Sequence, residues 1–280
     1  MHIAPFDNKN QPIVDVDHSL VPLNYFNIVK LKKDEVFHYQ VPGYETCIVP
    51  ATGTINVDVE GVAYESLGNR IKDVWGGEPE GVYVPVGAKV TFVAVSDEVE
   101  VFIAGAKYDK VLVPFDVRAD QLDVVQYGSD DTKTHRKIKH ILGQKYHDKV
   151  GRLLVSELFT VGAGGWSGFP SHKHDTDRLP IETRHDETYN FRFRPGHGSG
   201  VLMLQREDGV SGDAYHIVEG STILVDKGYH PCCVLPGYEM YYFTILSGMS
   251  QRPLVQYFQP SHEYQVQTIP GIKDMVAKFK

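Results

Sequence analysis

Two histidines, His172 and His174, stand two apart in the segment SGFPSHKHD, and a carboxylate, Glu187, opens the later run ETYNFRF. Successive side chains of an extended strand point to opposite faces, so residues two apart share a side and His172 and His174 can reach one ion together. His230 follows Gly228 in KGYHP, as a ligand on a strand-to-strand connection would. Imidazoles with one carboxylate suit one divalent metal ion, whether Zn, Mn, Fe, Ni or Co, and open coordination positions leave room for substrate or water. A histidine pair in a polar loop is by itself more often merely solvated. The rest of the chain shifts that balance.

The elements that must position these residues are strands. Short β-branched and aromatic runs punctuated by glycine and proline recur throughout, whereas sustained helical periodicity is scarce. Strands are expected at 25–31, 45–49, 54–59, 81–85, 89–95 and 98–104, and again at 153–161, 187–193, 201–206, 214–218, 221–226, 239–246 and 253–258. Many short strands at regular spacing predict an all-β sandwich or barrel. Glu187 would begin a strand whose face also carries Tyr189, Phe191 and Phe193 by alternation. Tyr189 and, on a later strand, Tyr242 are the candidate acids or bases; packing into a barrel core is the competing explanation of both.

An internal repeat sharpens the architecture. Glu45-Thr46 opens a strand in the first half as Glu187-Thr188 does in the second. From Glu45, 42 positions lead to Gly87, and 41 lead from Glu187 to Gly228. Fourteen positions further on stand Val101 and Tyr242. Three landmarks in step imply a duplicated β-domain, an N-terminal one over residues 1–127 and a metal-binding one over 128–280. The halves differ chemically, because Lys89 replaces His230 and at best His38 and Gln40 replace the His172 and His174 pair. Only the second half can hold the ion. Residues 128–134 read as an exposed linker, and RKIKHIL after it, basic at Arg136, Lys137, Lys139 and His140, reads as a solvated edge strand. The stretch 271–280 suggests a short helix with exposed Lys273, Lys278 and Lys280 and no chemistry.

Composition excludes several classes of function. The 280 residues carry a formal net charge of -8, which argues against binding to a phosphate backbone, so no nucleic-acid partner is expected. No apolar run is long enough to span a bilayer, and MHIAPFDNKN lacks the apolar core of a secretion signal; a cytoplasmic protein without membrane contact is the expectation. Cys47, Cys232 and Cys233 form neither a spaced disulfide framework nor a Cys-x-x-Cys motif, and packing is their expected role. Edge strands and a half without ligands are compatible with a homo-oligomer and fix no symmetry.

His172, His174, Glu187 and His230 in this order resemble the ligand pattern of the cupins, β-barrel proteins whose first motif supplies a His-x-His pair and a Glu and whose second supplies a later His. The interval DTDRLPIETRHD between His174 and Glu187 is longer than in the usual cupin pattern. With GGWSGFPSHKHD, ETYNFRF, KGYHP and PGYEMYYFTILSG, it makes the chain similar to the 5-deoxy-glucuronate isomerases of inositol catabolism, a bicupin family with a degenerate N-terminal half. Ser171, Asn190 and His140 depart from the pattern associated with that family, and none of them is a proposed ligand. The resemblance implies a bicupin fold, a small uronate substrate and an aldose-ketose isomerisation. Arg192, Lys173, Arg136 and Arg178 are then all candidates for holding the substrate carboxylate. Two other functions fit the same residues, a cupin metal-dependent oxygenase and a non-catalytic sugar-binding cupin.

Overall fold

The computed structural model describes residues 1–277. Two compact units emerge, and the chain passes between them more than once. One comprises Asp7–Asp123 and Ile141–Val155; the other comprises Met1–Phe6, Val124–His140 and the chain from Ser156 onward. Nearly every regular element is a strand, and the described helices are short.

In the first unit, Tyr44–Val59 is one sixteen-residue strand where two were expected. Its first part pairs with Gly81–Val84 and Glu98–Lys107, its second with Val62–Arg70 and Val90–Ala94. Register shifts fall near its middle, where Gly53 has φ +78°, and this irregularity lets one strand serve both pairings. The strand Val62–Arg70 went unforeseen because most of its side chains are polar or solvent-facing, which leaves little apolar alternation to read. The interior is filled by Val29, Ile48, Ile55, Val57, Phe92, Val101 and their neighbours. His38, Gln40 and Lys89 are exposed, so the ligand positions of the other unit have no buried counterparts there.

The second unit is built on a seven-stranded sheet in the order His2–Ile3, Thr222–Val225, His185–Arg194, Glu239–Gly248, Leu153–Thr160, Arg136–Leu142, Asp123–Tyr127. A four-stranded sheet of Gly165–Ser167, Cys232–Val234, Ser199–Leu204 and Asp213–Val218 supplies the opposing wall. Phe191, Phe193, Leu202, Leu204, Ile217, Ile223 and Val234 form the apolar core they share. The repeat is visible in the pairing: Pro50 faces Val101 in one unit and Phe191 faces Tyr242 in the other, a difference of one residue counted from Glu45 and Glu187.

Two expectations are corrected, and a third is met over the described residues. Arg136–Leu142 is not a solvated edge strand: it lies inside the sheet, with Asp123–Tyr127 taking the edge. Arg136, Lys139 and His140 are buried and Lys137 is half-buried; Lys139 Nζ, for instance, sits 4.8 Å from the Phe159 ring centre. Of the strand expected at 253–258, Tyr257–Phe258 alone is formed, pairing with His172–Lys173. The helix expected from Gly271 appears as Ile272–Ala277, with Lys278 and Lys280 outside the described residues. It packs Ile272 and Met275 with Val125, Tyr127 and Ile138. Among the described residues, no helix is long and apolar enough to cross a membrane.

Candidate metal centre

The structure brings His172, His174 and His230 together, with candidate ligand atoms all within 4.8 Å of one another. Glu187 joins them through Oε2, which lies 3.0 Å from His174 Nε2 and 3.1 Å from His230 Nε2. Each ring is oriented by a backbone carbonyl: His172 Nδ1 contacts Pro170 O at 3.1 Å, His174 Nδ1 contacts His185 O at 3.2 Å, and His230 Nδ1 contacts Gly228 O at 2.8 Å. A carbonyl can only accept, so each Nδ1 carries a hydrogen and each neutral ring keeps its lone pair on Nε2.

That assignment exposes a conflict among the protein groups alone. His230 Nε2 is buried and lies 3.1 Å from Glu187 Oε2. His174 has an acceptor at both nitrogens. Burial opposes a charge on His174, yet the hydrogen bond and charge of Glu187 outweigh it and raise its pKa. Burial likewise works to raise the pKa of Glu187, and His174 and His230 pull it well below the ordinary carboxylate range. The His172 pKa is lowered to about 3, first by burial and then by the neighbouring His230 and His174, so it is neutral near pH 7. Converging Nε2 lone pairs, an ionised carboxylate and carbonyl-anchored Nδ1 atoms are what a divalent cation requires of its ligands and of the groups behind them.

The interval between His174 and Glu187 earns its length by bracing this arrangement. Its Glu182 is fully buried and accepts from Lys173 Nζ at 2.9 Å, the Asp175 amide at 2.9 Å, the Thr176 amide at 3.2 Å and Arg178 Nε at 2.9 Å. Asp175 then ties this loop to the turn bearing His230, because its Oδ2 accepts from the Gly228 amide at 2.9 Å. Gly228 has φ +98°, and a Cβ there would stand 2.8 Å from Gln205 O, so both conformation and space call for glycine. None of these supports was recognised in the sequence. An Asp directly after His-x-His and a Glu within a polar insertion are the signals that were present.

The cluster opens into a pocket walled by Phe169, Leu246, Leu254, Phe258 and Met275 among others. Tyr189 and Tyr242 both line it, with ring centres 4.8 Å apart. Burial raises both phenol pKa values well above 10, and the nearby Glu187 adds to the shift at Tyr189. Tyr242 Oη accepts from Arg136 Nη2 at 2.6 Å and shares a 2.5 Å hydrogen bond with Ser167 Oγ. Arg136 Nη1 donates to Tyr127 Oη at 2.8 Å. Gln256, whose amide nitrogen lies 2.9 Å from His172 Nε2, was not anticipated, nor was Met275 from the terminal helix. Cys47 and Cys232 are free, buried thiols that pack in the cores.

Comparison with known proteins places this geometry. The model of the KduI/IolB family matches residues 2–265. The chain is 32% identical over 246 residues to the 5-deoxy-glucuronate isomerase of Geobacillus kaustophilus, covering 86% of each protein. Its fold is similar to the crystal structure of an IolB-like protein from Salmonella typhimurium, with a TM-score of 0.79 and 25% identity over 86% of this chain and 89% of that one. It also matches the oxalate decarboxylase of Lactobacillus farciminis with a TM-score of 0.61 over 96% and 90% of the two chains; at 8% identity this likeness speaks to the fold alone, an all-β bicupin. A β-unit that bears the histidine cluster, a unit that lacks one and a family match along nearly the whole chain lead to one conclusion: this protein belongs to the KduI/IolB family.

Proposed function

We propose that this chain is a 5-deoxy-glucuronate isomerase, a cytoplasmic enzyme of myo-inositol degradation that converts the aldose 5-deoxy-D-glucuronate into the ketose 2-deoxy-5-keto-D-gluconate. The observation that carries the reading is the convergence of His172, His174, His230 and Glu187 on one point of a pocket with apolar, aromatic and a few polar walls, in a chain of this family. In this reading one divalent metal ion is held by those four side chains, in the domain drawn at 128–280, and the domain at 1–127 is its scaffold. When bound, the ion supplies a Lewis acid that polarises a carbonyl and stabilises negative charge developing on neighbouring oxygens.

The remaining work falls to the chain's own groups. Tyr189 and Tyr242 keep their protons across neutral pH, because burial holds both pKa values above 10. They therefore serve as hydrogen-bond donors from Oη toward a sugar oxygen, and not as resting bases. Phe169, Leu246, Leu254 and Phe258 limit water around the reacting carbons.

The test is to incubate the metal-loaded protein with 5-deoxy-D-glucuronate and follow ketone formation and dissolved oxygen together. Ketone without oxygen consumption is the expected result. Oxygen uptake would point to a cupin oxygenase, and binding without product to a sugar-binding cupin. Solvent deuterium appearing in the product marks transfer as a proton, whereas full retention of the substrate hydrogen marks a hydride shift.

A further inference from the structure

We infer that Arg136 is the seat of the substrate's carboxylate, so that the guanidinium and the His172, His174 and His230 cluster recognise opposite ends of one open-chain sugar acid. The identity of the sugar rests on the isomerase reading; the anion site itself does not. Arg136 is 3% exposed and lines the same pocket as the histidines. Two of its nitrogens donate to the phenols of Tyr127 and Tyr242, while its Nε is buried and makes no hydrogen bond. Its polar contacts are with the phenols of Tyr127 and Tyr242, and no carboxylate stands among the charged groups that act on it most strongly. A buried cation without a counter-ion is costly, and nature retains one where an anion completes it.

The competing cations are already neutralised. Lys173 is held between Asp175 and Glu182, Arg178 is bound to Glu182 and stacked 4.3 Å from the Tyr257 ring centre, and Arg192 lies 3.4 Å from Glu219. None of the three lines the pocket. Arg136 is also the one whose setting suits a planar carboxylate: a forked donor, desolvated and held in place by two rings. Tyr127 is therefore a positioning residue. The seat would decide which end of the sugar meets the histidines.

Calorimetric titration of the metal-loaded protein with D-glucuronate and with its uncharged counterpart D-glucose tests this. Wild type is expected to favour the acid by at least about thirtyfold, the scale of one desolvated charge pair. Arg136→Met should bring that ratio to within about threefold of unity, with Arg136→Lys between them because it keeps charge but not the fork. Metal content and the circular dichroism spectrum, measured on the same samples, report whether the variants are folded. A folded, metal-loaded Arg136→Met that keeps the wild-type ratio overturns the assignment. Should that variant fail to fold, Tyr127→Phe takes its place: a severalfold smaller ratio supports the seat, and an unchanged ratio overturns it. Absence of ketone from the wild type would count against the isomerase reading, while the titration would still decide the anion site.

Discussion

Replacing Glu182 by alanine removes four hydrogen bonds at once from the loop that carries His172 and His174. Hydrogen bonds to a charged group contribute about 1.5–3 kcal/mol each, but those sharing one carboxylate are coupled and do not add. Breaking a buried ion pair costs about 3–5 kcal/mol. Here the low end applies, because Lys173 retains Asp175 and Arg178 is 42% exposed, so neither cation is left stranded. At about 2–4 °C per kcal/mol for a domain of this size, a loss of about 3 kcal/mol lowers the unfolding midpoint by roughly 6–12 °C. The loop also orients His172 and His174, two of the proposed ligands, and loss of a supporting contact costs about ten- to hundredfold in metal affinity. Thermal unfolding and competition with a chromogenic chelator measure the two effects. Glu182→Gln, which keeps an acceptor without the charge, should fall between. If Glu182→Ala bound metal within about twofold of wild type and melted within about 1 °C of it, the bracing role assigned to the insertion would be refuted.

Three further outcomes are expected. Gly228→Ala meets both a φ of +98° and a carbonyl 2.8 Å from the new Cβ, so chelator competition should show weakened metal binding through displacement of His230, with about 1–3 kcal/mol of strain in a denaturant titration. The pKa of His185 is lowered from 6.5 to about 4, chiefly by burial. Below about pH 6.5 the unfolded chain binds a proton that the folded one refuses, so stability is intact above that pH and falls by roughly 3 kcal/mol as pH drops toward 4. Urea midpoints for His185→Gln should show a shallower decline over that window than wild type. Glu45 is fully buried and accepts from Tyr83 Oη at 2.6 Å and from the amides of Gly151, Arg152 and Leu153 at 2.8, 2.7 and 2.9 Å, so Glu45→Ala should lower the melting temperature while metal analysis still finds the wild-type stoichiometry.

The site was legible in the sequence to the extent that its chemistry is local. His172 and His174 share a strand face, Glu187 begins a run of alternating aromatics, and the Gly228 turn precedes His230. Each of these is a short-range pattern. What escaped was tertiary. Arg136 reads as an edge-strand cation because charge on alternate positions usually meets water, and only the pairing order shows Asp123–Tyr127 outside it. Glu182 and Asp175 look like loop acids until the backbone amides they accept from are known. Met275 reaches the pocket through a helix whose packing no periodicity over six residues can announce.

Glu45 also bears on the order in which the chain can fold. It stands where the duplicated half has Glu187, but its carboxylate is occupied by amides 106–108 residues downstream. During synthesis at about 5–20 residues per second, those partners leave the ribosome roughly 5–20 s after Glu45 does. Until then the first unit lacks Ile141–Val155, and of the four donors to that carboxylate named above Tyr83 alone has been made. Neither unit is complete when the first half has been translated, and a single cut in the chain cannot release two whole barrels. Duplication has thus produced two units that must finish folding in one continuous chain.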